Sequence, residues 1–86
     1  MYALALFFLL NQPYFLVSAQ KQIVPTTNGY DMKVHFRNSG NQNATCEAHV
    51  DDQYKDFSIM AFGRDDETFQ NVSESASVSL TCEATH

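Results

Sequence analysis

Residues 30–37 alternate strictly between apolar and polar side chains, and this alternation limits what the chain can fold into. The even positions are apolar, and the odd positions are polar or charged. A period of two is typical of a β-strand that has one face in a core and the other in water. Residues 44–50 and 76–84 repeat the pattern. The sequence therefore predicts an all-β fold.

Turn-forming residues separate these alternating stretches. Short strands that are punctuated in this way are typical of a sandwich or a small barrel. No helical period of useful length follows the N-terminal residues. We predict a small antiparallel β-sandwich of about five strands, and their bounds are 30–37, 44–50, 54–62, 67–72 and 76–84. A turn is expected at 63–66.

The N-terminal residues 1–19 have the character of a secretory signal peptide. An apolar run covers residues 3–10, and Val17-Ser18-Ala19 has the small-residue form of a cleavage site, although the usual positive charge is missing. The alternative is a transmembrane anchor. It is disfavoured because the unbroken run is far short of the about 20 residues that span a bilayer.

Cleavage after Ala19 divides the chain into three parts. These are the signal peptide at 1–19, a flexible leader at 20–29 without hydrophobic period, and a single β-sandwich domain at 30–86. With the signal removed, no stable membrane insertion is expected. The product is predicted to be secreted and extracellular, as a monomer or weak dimer.

Acidic residues outnumber basic residues by 10 to 5, so the formal net charge is −5. Nucleic acids and anionic membranes attract basic patches, so this balance disfavours both as partners. A protein partner of unknown identity is expected instead.

Cys46 and Cys82 are the two cysteines of the chain. Both lie on the apolar faces of predicted strands, and an exported chain with one pair is expected to form one buried disulfide. The alternative is zinc bound by these cysteines with His49 and His86. It is disfavoured because Cys46 and His49 are three apart on a strand and point to opposite faces. No metal or other cofactor is predicted.

Two N-glycosylation sequons begin at Asn43 and Asn71. Both fall in loops or at strand edges, so at least one glycan is expected if the host is a eukaryote. No nucleophile motif and no acid–base pair is identifiable, and no catalytic residue is predicted. We expect a protein that is not an enzyme.

Met60 and Phe62 are the candidate partner-binding residues. They fall on the face of the third strand opposite Phe57 and Ile59. One interpretation is that the leader or a loop covers this face as well. The other is an exposed apolar patch that binds a partner, together with three adjoining charged residues: Arg64, Asp65 and Asp66.

The stretches 34–40, 44–46 and 76–82 resemble an immunoglobulin-like sandwich. Residues 79–84 are similar to the strand of immunoglobulin domains that carries the first cysteine. That cysteine lies near the C-terminus here and the chain has no tryptophan, so no functional residue is carried over.

The format of the whole chain is similar to small secreted effector-type proteins of fungi and other host-associated eukaryotes. This resemblance implies binding at or inside another organism's cells. We predict a small secreted interaction protein. The alternatives are a secreted enzyme inhibitor or toxin, and a self-associating surface or structural protein.

Overall fold

A computed structural model describes residues 12–85, and these residues form two antiparallel sheets. Sheet A has the strand order β1-β2-β5 and sheet B has the order β4-β3-β6. The prediction of an all-β sandwich with one disulfide is confirmed. None of the described residues forms a helix that is long and apolar enough to cross a membrane. The strands are β1 Val17–Pro25, β2 Tyr30–Asn38, β3 Ala44–Val50, β4 Gln53–Ile59, β5 Arg64–Val72 and β6 Val78–Ala84.

Strand β1 was not expected from the sequence. It pairs along the whole of β2, from Val17 opposite Asn38 to Pro25 opposite Tyr30. Residues 18–22 are exposed on both faces of β1, so the alternation that reveals the other strands is missing. Residues 20–25, expected in a flexible leader, are therefore part of sheet A. The predicted cleavage bond after Ala19 lies inside β1, whereas the apolar run at 3–10 lies outside the described residues.

The core lies between the two sheets. The rings of Phe36 on β2 and Phe57 on β4 meet across the interface, with centroids 4.4 Å apart. Strands β2 and β3 are central in their sheets, so their inward faces are the most completely buried. The buried apolar residues are Met32, Val34, Phe36, Ala44, Cys46, Ala48, Val50, Phe57, Ile59, Phe69, Val72 and Ala76.

The connection between β4 and β5 differs from the prediction. Strand β4 ends at Ile59, and a turn follows in which the N–H of Gly63 donates to the carbonyl of Met60 at 2.9 Å. Strand β5 then begins at Arg64, where a turn was predicted, and Arg64 pairs with Arg37 of β2. The turn at 60–63 therefore lies three residues earlier in the chain than the predicted turn at 63–66, because pairing with β2 extends β5.

The predicted disulfide joins Cys46 and Cys82. These residues lie directly opposite each other on β3 and β6, with Cα atoms 4.0 Å apart. The bond therefore links neighbouring strands of sheet B. In immunoglobulin domains the disulfide links the two sheets, so the local resemblance does not extend to this feature. The zinc alternative is wrong because both thiols are used in the disulfide.

Candidate partner-binding site

The turn between β4 and β5 exposes two large apolar side chains. Met60 is 70% exposed and Phe62 is 69% exposed. Phe62 has a φ of 57°, in the left-handed region that large side chains rarely occupy. A positive φ at this place is typical of a type II turn. We call residues 60–63 the tip.

Three hydrogen bonds fix the backbone of the tip to the rest of the sandwich. The N–H of Ala61 donates to Oδ1 of Asn43 at 2.8 Å. The N–H of Phe62 donates to the carbonyl of Gly40 at 3.1 Å, and the carbonyl of Gly63 accepts from the N–H of Asn38 at 3.0 Å. The two exposed side chains therefore project from a backbone that is held in place.

Asn38 organises this end of the sandwich. Its side chain is fully buried. Oδ1 accepts from the N–H of Leu16 at 3.2 Å and from the N–H of Gly40 at 3.0 Å. Nδ2 donates to the carbonyl of Gln42 at 2.8 Å. A single amide therefore connects the N-terminal segment with the loop that supports the tip.

The N-terminal segment at 14–16 crosses the same loop. The N–H of Ser39 donates to the carbonyl of Leu16 at 2.9 Å. Gly40 has no space for a side chain, because a Cβ there would collide with the backbone of Tyr14 and of its neighbour. Tyr14 and Leu16 are exposed. This end of the molecule therefore presents four apolar side chains, two of which sequence reasoning had assigned to the signal peptide.

The three charged residues predicted beside the tip are separated by the pleat of β5. Arg64 and Asp66 are exposed on the outer face of sheet A, where they pair with Arg37 and His35. Oδ1 of Asp66 lies 2.6 Å from Nδ1 of His35. Asp65 pairs instead with buried Phe36, so it lies on the inner face and is half-buried. Of the three, only Arg64 and Asp66 share a surface.

Asp65 and Glu67 form a carboxyl pair on the inner side of β5. The hydrogen bond with Asp65 is the main cause that raises the pKa of Glu67, and burial adds to it. Lys55 opposes the shift weakly, since its Nζ is 4.0 Å from the Glu67 carboxylate. Oδ2 of Asp65 is buried without a hydrogen-bond partner. The neighbouring Asp65 carboxyl therefore makes Glu67 harder to ionise.

The two predicted glycosylation residues lie at opposite ends of the sandwich. Asn43 is exposed and bonds the tip through Oδ1. Asn71 is exposed near the end of β5 where Val72 pairs with Tyr30. A glycan on Asn43 would therefore stand beside the tip, and a glycan on Asn71 would stand far from it.

Residues 12–85 contain no group of three or more side chains arranged to hold a metal ion. Comparison with protein-family models and with curated proteins finds no match to this chain. The function must therefore be inferred from the geometry of the site. The main features of the site are the fixed apolar tip and the charged face of sheet A beside it.

Proposed function

We propose that the protein is a small secreted interaction protein, without enzymatic activity, that binds a protein partner through the tip. One observation carries the proposal. Met60 and Phe62 are about equally exposed, at 70% and 69%, on a turn whose backbone is fixed by hydrogen bonds. A partner that covered both side chains would remove a large apolar area from water.

The fixed backbone favours binding in two ways. Ordering a loop at an interface costs free energy, and the tip is already ordered by its bonds to Asn43, Gly40 and Asn38. An apolar anchor beside charged groups is also a common composition for the centre and rim of an interface. Arg64 and Asp66 would supply that rim.

The left-handed conformation of Phe62 supports a role in binding rather than in folding. A large residue in this region costs about 1–2 kcal/mol, and an exposed ring recovers little of that cost by burial. Such strain is commonly retained where function needs a particular side chain. Asparagine tolerates this backbone region better, so Phe62→Asn should preserve the turn.

Export is supported by the disulfide and by the apolar run of the predicted signal peptide. Cleavage after Ala19 would remove the first three residues of β1, so the intact sandwich requires a form that retains them. Disulfides persist in oxidising compartments and are rare in the cytosol. The Cys46–Cys82 bond is compatible with an extracellular protein. We also propose that the protein is glycosylated. The form that binds its partner through the tip should carry the glycan on Asn71, because a glycan on Asn43 would stand beside the tip.

The test is site-specific photo-crosslinking in the cells that naturally make the protein and in their medium. A photoreactive phenylalanine analogue is placed at position 62 or at position 54. Tyr54 is the matched control because it is an aromatic residue that is 63% exposed outside the tip. We expect a discrete adduct from position 62 only, and excess wild-type protein should suppress it.

The Met60→Ala/Phe62→Asn variant is then added in excess in place of the wild-type protein. It should fail to suppress the adduct, while its melting temperature stays equal to or above that of the wild type. If it competes as well as the wild type, the tip is not the binding surface. If it unfolds, Met60 and Phe62 are structural residues and the proposal is wrong. Mass spectrometry of the adduct distinguishes a second copy of the chain or an enzyme from any other partner.

A further inference from the structure

We propose that the outer face of sheet A contains a binding site for one phosphate or sulfate group, built on Arg37 and Arg64. This inference goes beyond the proposed function: the site shares Arg64 and Asp66 with the rim of the tip interface, but it does not require the tip.

The five basic residues fall into two groups. Lys21 and Lys55 each donate from Nζ to a backbone carbonyl at 2.6 Å. Lys33, Arg37 and Arg64 are exposed on the outer face of sheet A. Within residues 12–85, none of these three makes a side-chain hydrogen bond or an ion pair. Their charges are therefore available to a ligand.

Arg37 and Arg64 lie directly opposite each other on β2 and β5. Side chains at such positions start about 5 Å apart, and like charges there are destabilising. Asp66, the acidic residue that lines the same cavity, already bonds His35 at 2.6 Å. An anion between the two guanidinium groups would replace repulsion with charge-assisted hydrogen bonds. The planar fork of arginine suits phosphate and sulfate oxygens well.

A shallow cavity of about 360 Å³ lies over this arginine pair. Neutral donors border it on the β1 side, where Ser18 is opposite Arg37 and Gln20 is opposite His35. The cavity is larger than one oxyanion, so the group is expected to be carried on a larger molecule. The polar residues that line it are Ser18, Gln20, His35, Arg37, Arg64 and Asp66.

The rest of the surface favours a single anionic group over a polyanion. The outer face of sheet B carries Glu47, Asp56 and Glu83. The formal net charge of the chain is −5. A long polyanion would be repelled outside the immediate surroundings of the arginine pair, whereas one phosphate or sulfate group would contact only that pair.

The test is an NMR titration of the folded protein, with β1 and its Ser18 intact, using inorganic phosphate and sulfate. Chloride at matched ionic strength is the reference. We expect saturable shifts of the arginine Nε–H signals and of the amides of residues 37 and 64. A second titration uses phosphoserine and a sulfated monosaccharide. The ligand that binds with the lower Kd shows whether the site prefers a phosphate group or a sulfate group. Shifts that chloride reproduces would overturn the proposal.

Arg37→Gln and Arg64→Gln are the decisive variants, and Lys33→Gln is their matched control. Lys33 lies on the same strand face as Arg37, and its substitution removes the same charge. Each arginine substitution should weaken binding at least tenfold, whereas Lys33→Gln should change it less than twofold. Equal effects of all three would show a general charge effect and refute a specific site.

Thermal unfolding gives a readout that does not depend on the titration. A bound anion stabilises the folded state by mass action, and sulfate also stabilises proteins generally. We expect sulfate to raise the melting temperature of Lys33→Gln as much as that of the wild type, and to raise that of Arg37→Gln less. Without sulfate, Arg37→Gln should be at least as stable as the wild type, because like-charge repulsion is removed. Equal responses to sulfate in both variants would contradict the site.

Discussion

Asn38→Ala is predicted to be the most destabilising polar substitution at the tip end of the sandwich. The Asn38 side chain is fully buried and makes three hydrogen bonds of 3.2 Å or less. Alanine would leave two backbone N–H groups and one carbonyl without these partners. A fourth contact, from Nδ2 to the carbonyl of Ile59, is long at 3.4 Å and is expected to add little.

The magnitude follows from the environment of each partner. A hydrogen bond contributes about 1 kcal/mol net, and an unsatisfied buried group costs about 1–3 kcal/mol. Gly40 is buried, so its N–H would lose its partner outright, whereas water can partly replace the partner of the exposed Leu16. We expect a loss of about 2–3 kcal/mol in the free energy of unfolding. This corresponds to roughly 10–20 °C in melting temperature for a domain of this size.

The assay is urea unfolding followed by circular dichroism, and Asn41→Ala is the control. Asn41 lies in the same loop and also bonds the N-terminal segment, since its Oδ1 accepts from the N–H of Tyr14 at 2.9 Å. That bond is exposed, so its loss should cost no more than about 0.5 kcal/mol. If the two variants were equally stable, Asn38 would not organise this end and the reasoning would be refuted.

Two further predictions concern the disulfide and the carboxyl pair. Replacing Cys46 and Cys82 together by alanine should cost about 4 kcal/mol in the chain-entropy model, because the bridge closes a separation of 36 residues; unchanged melting and secretion would contradict this. Glu67 has a pKa raised above its ordinary value of 4.5 by its hydrogen bond with Asp65. The folded state therefore holds this proton more tightly than the unfolded chain does. The contribution of the proton to the free energy of unfolding is complete below about pH 4.5, and it is lost as the pH rises through the raised pKa. Glu67→Gln should flatten this part of the pH dependence in melting experiments, and an unchanged slope would show that Glu67 does not cause it.

The alternation at 30–37, 44–50 and 76–84 was sufficient to predict the all-β fold, the inward faces of three strands and the disulfide. Alternation is informative where one face is buried, because each side chain then has only one compatible environment. Cys46 and Cys82 followed from the same reasoning, since they share the inward face of neighbouring strands. Residues 44–50 even match the bounds of β3.

The candidate site was predicted only in part, because its residues are placed by local geometry. Met60 and Phe62 were assigned to a strand, and their exposure depends on a turn that hydrogen bonds to Asn43 and Gly40 hold in place. The separation of Asp65 from its neighbours depends on the register of β5 with β2. A shift of one residue would reverse which side chains face outward.

The sequence by itself determined the class of fold and its covalent link, because burial of one strand face imposes a pattern that can be read residue by residue. Only the tertiary structure decided that Val17–Pro25 forms a strand, that the tip is exposed, and that Arg37 lies opposite Arg64. Strand β1 and the turn have too few buried side chains to impose such a pattern. A cross-strand pair depends on a register that joins residues distant in the chain, so it becomes visible only when the strands are paired.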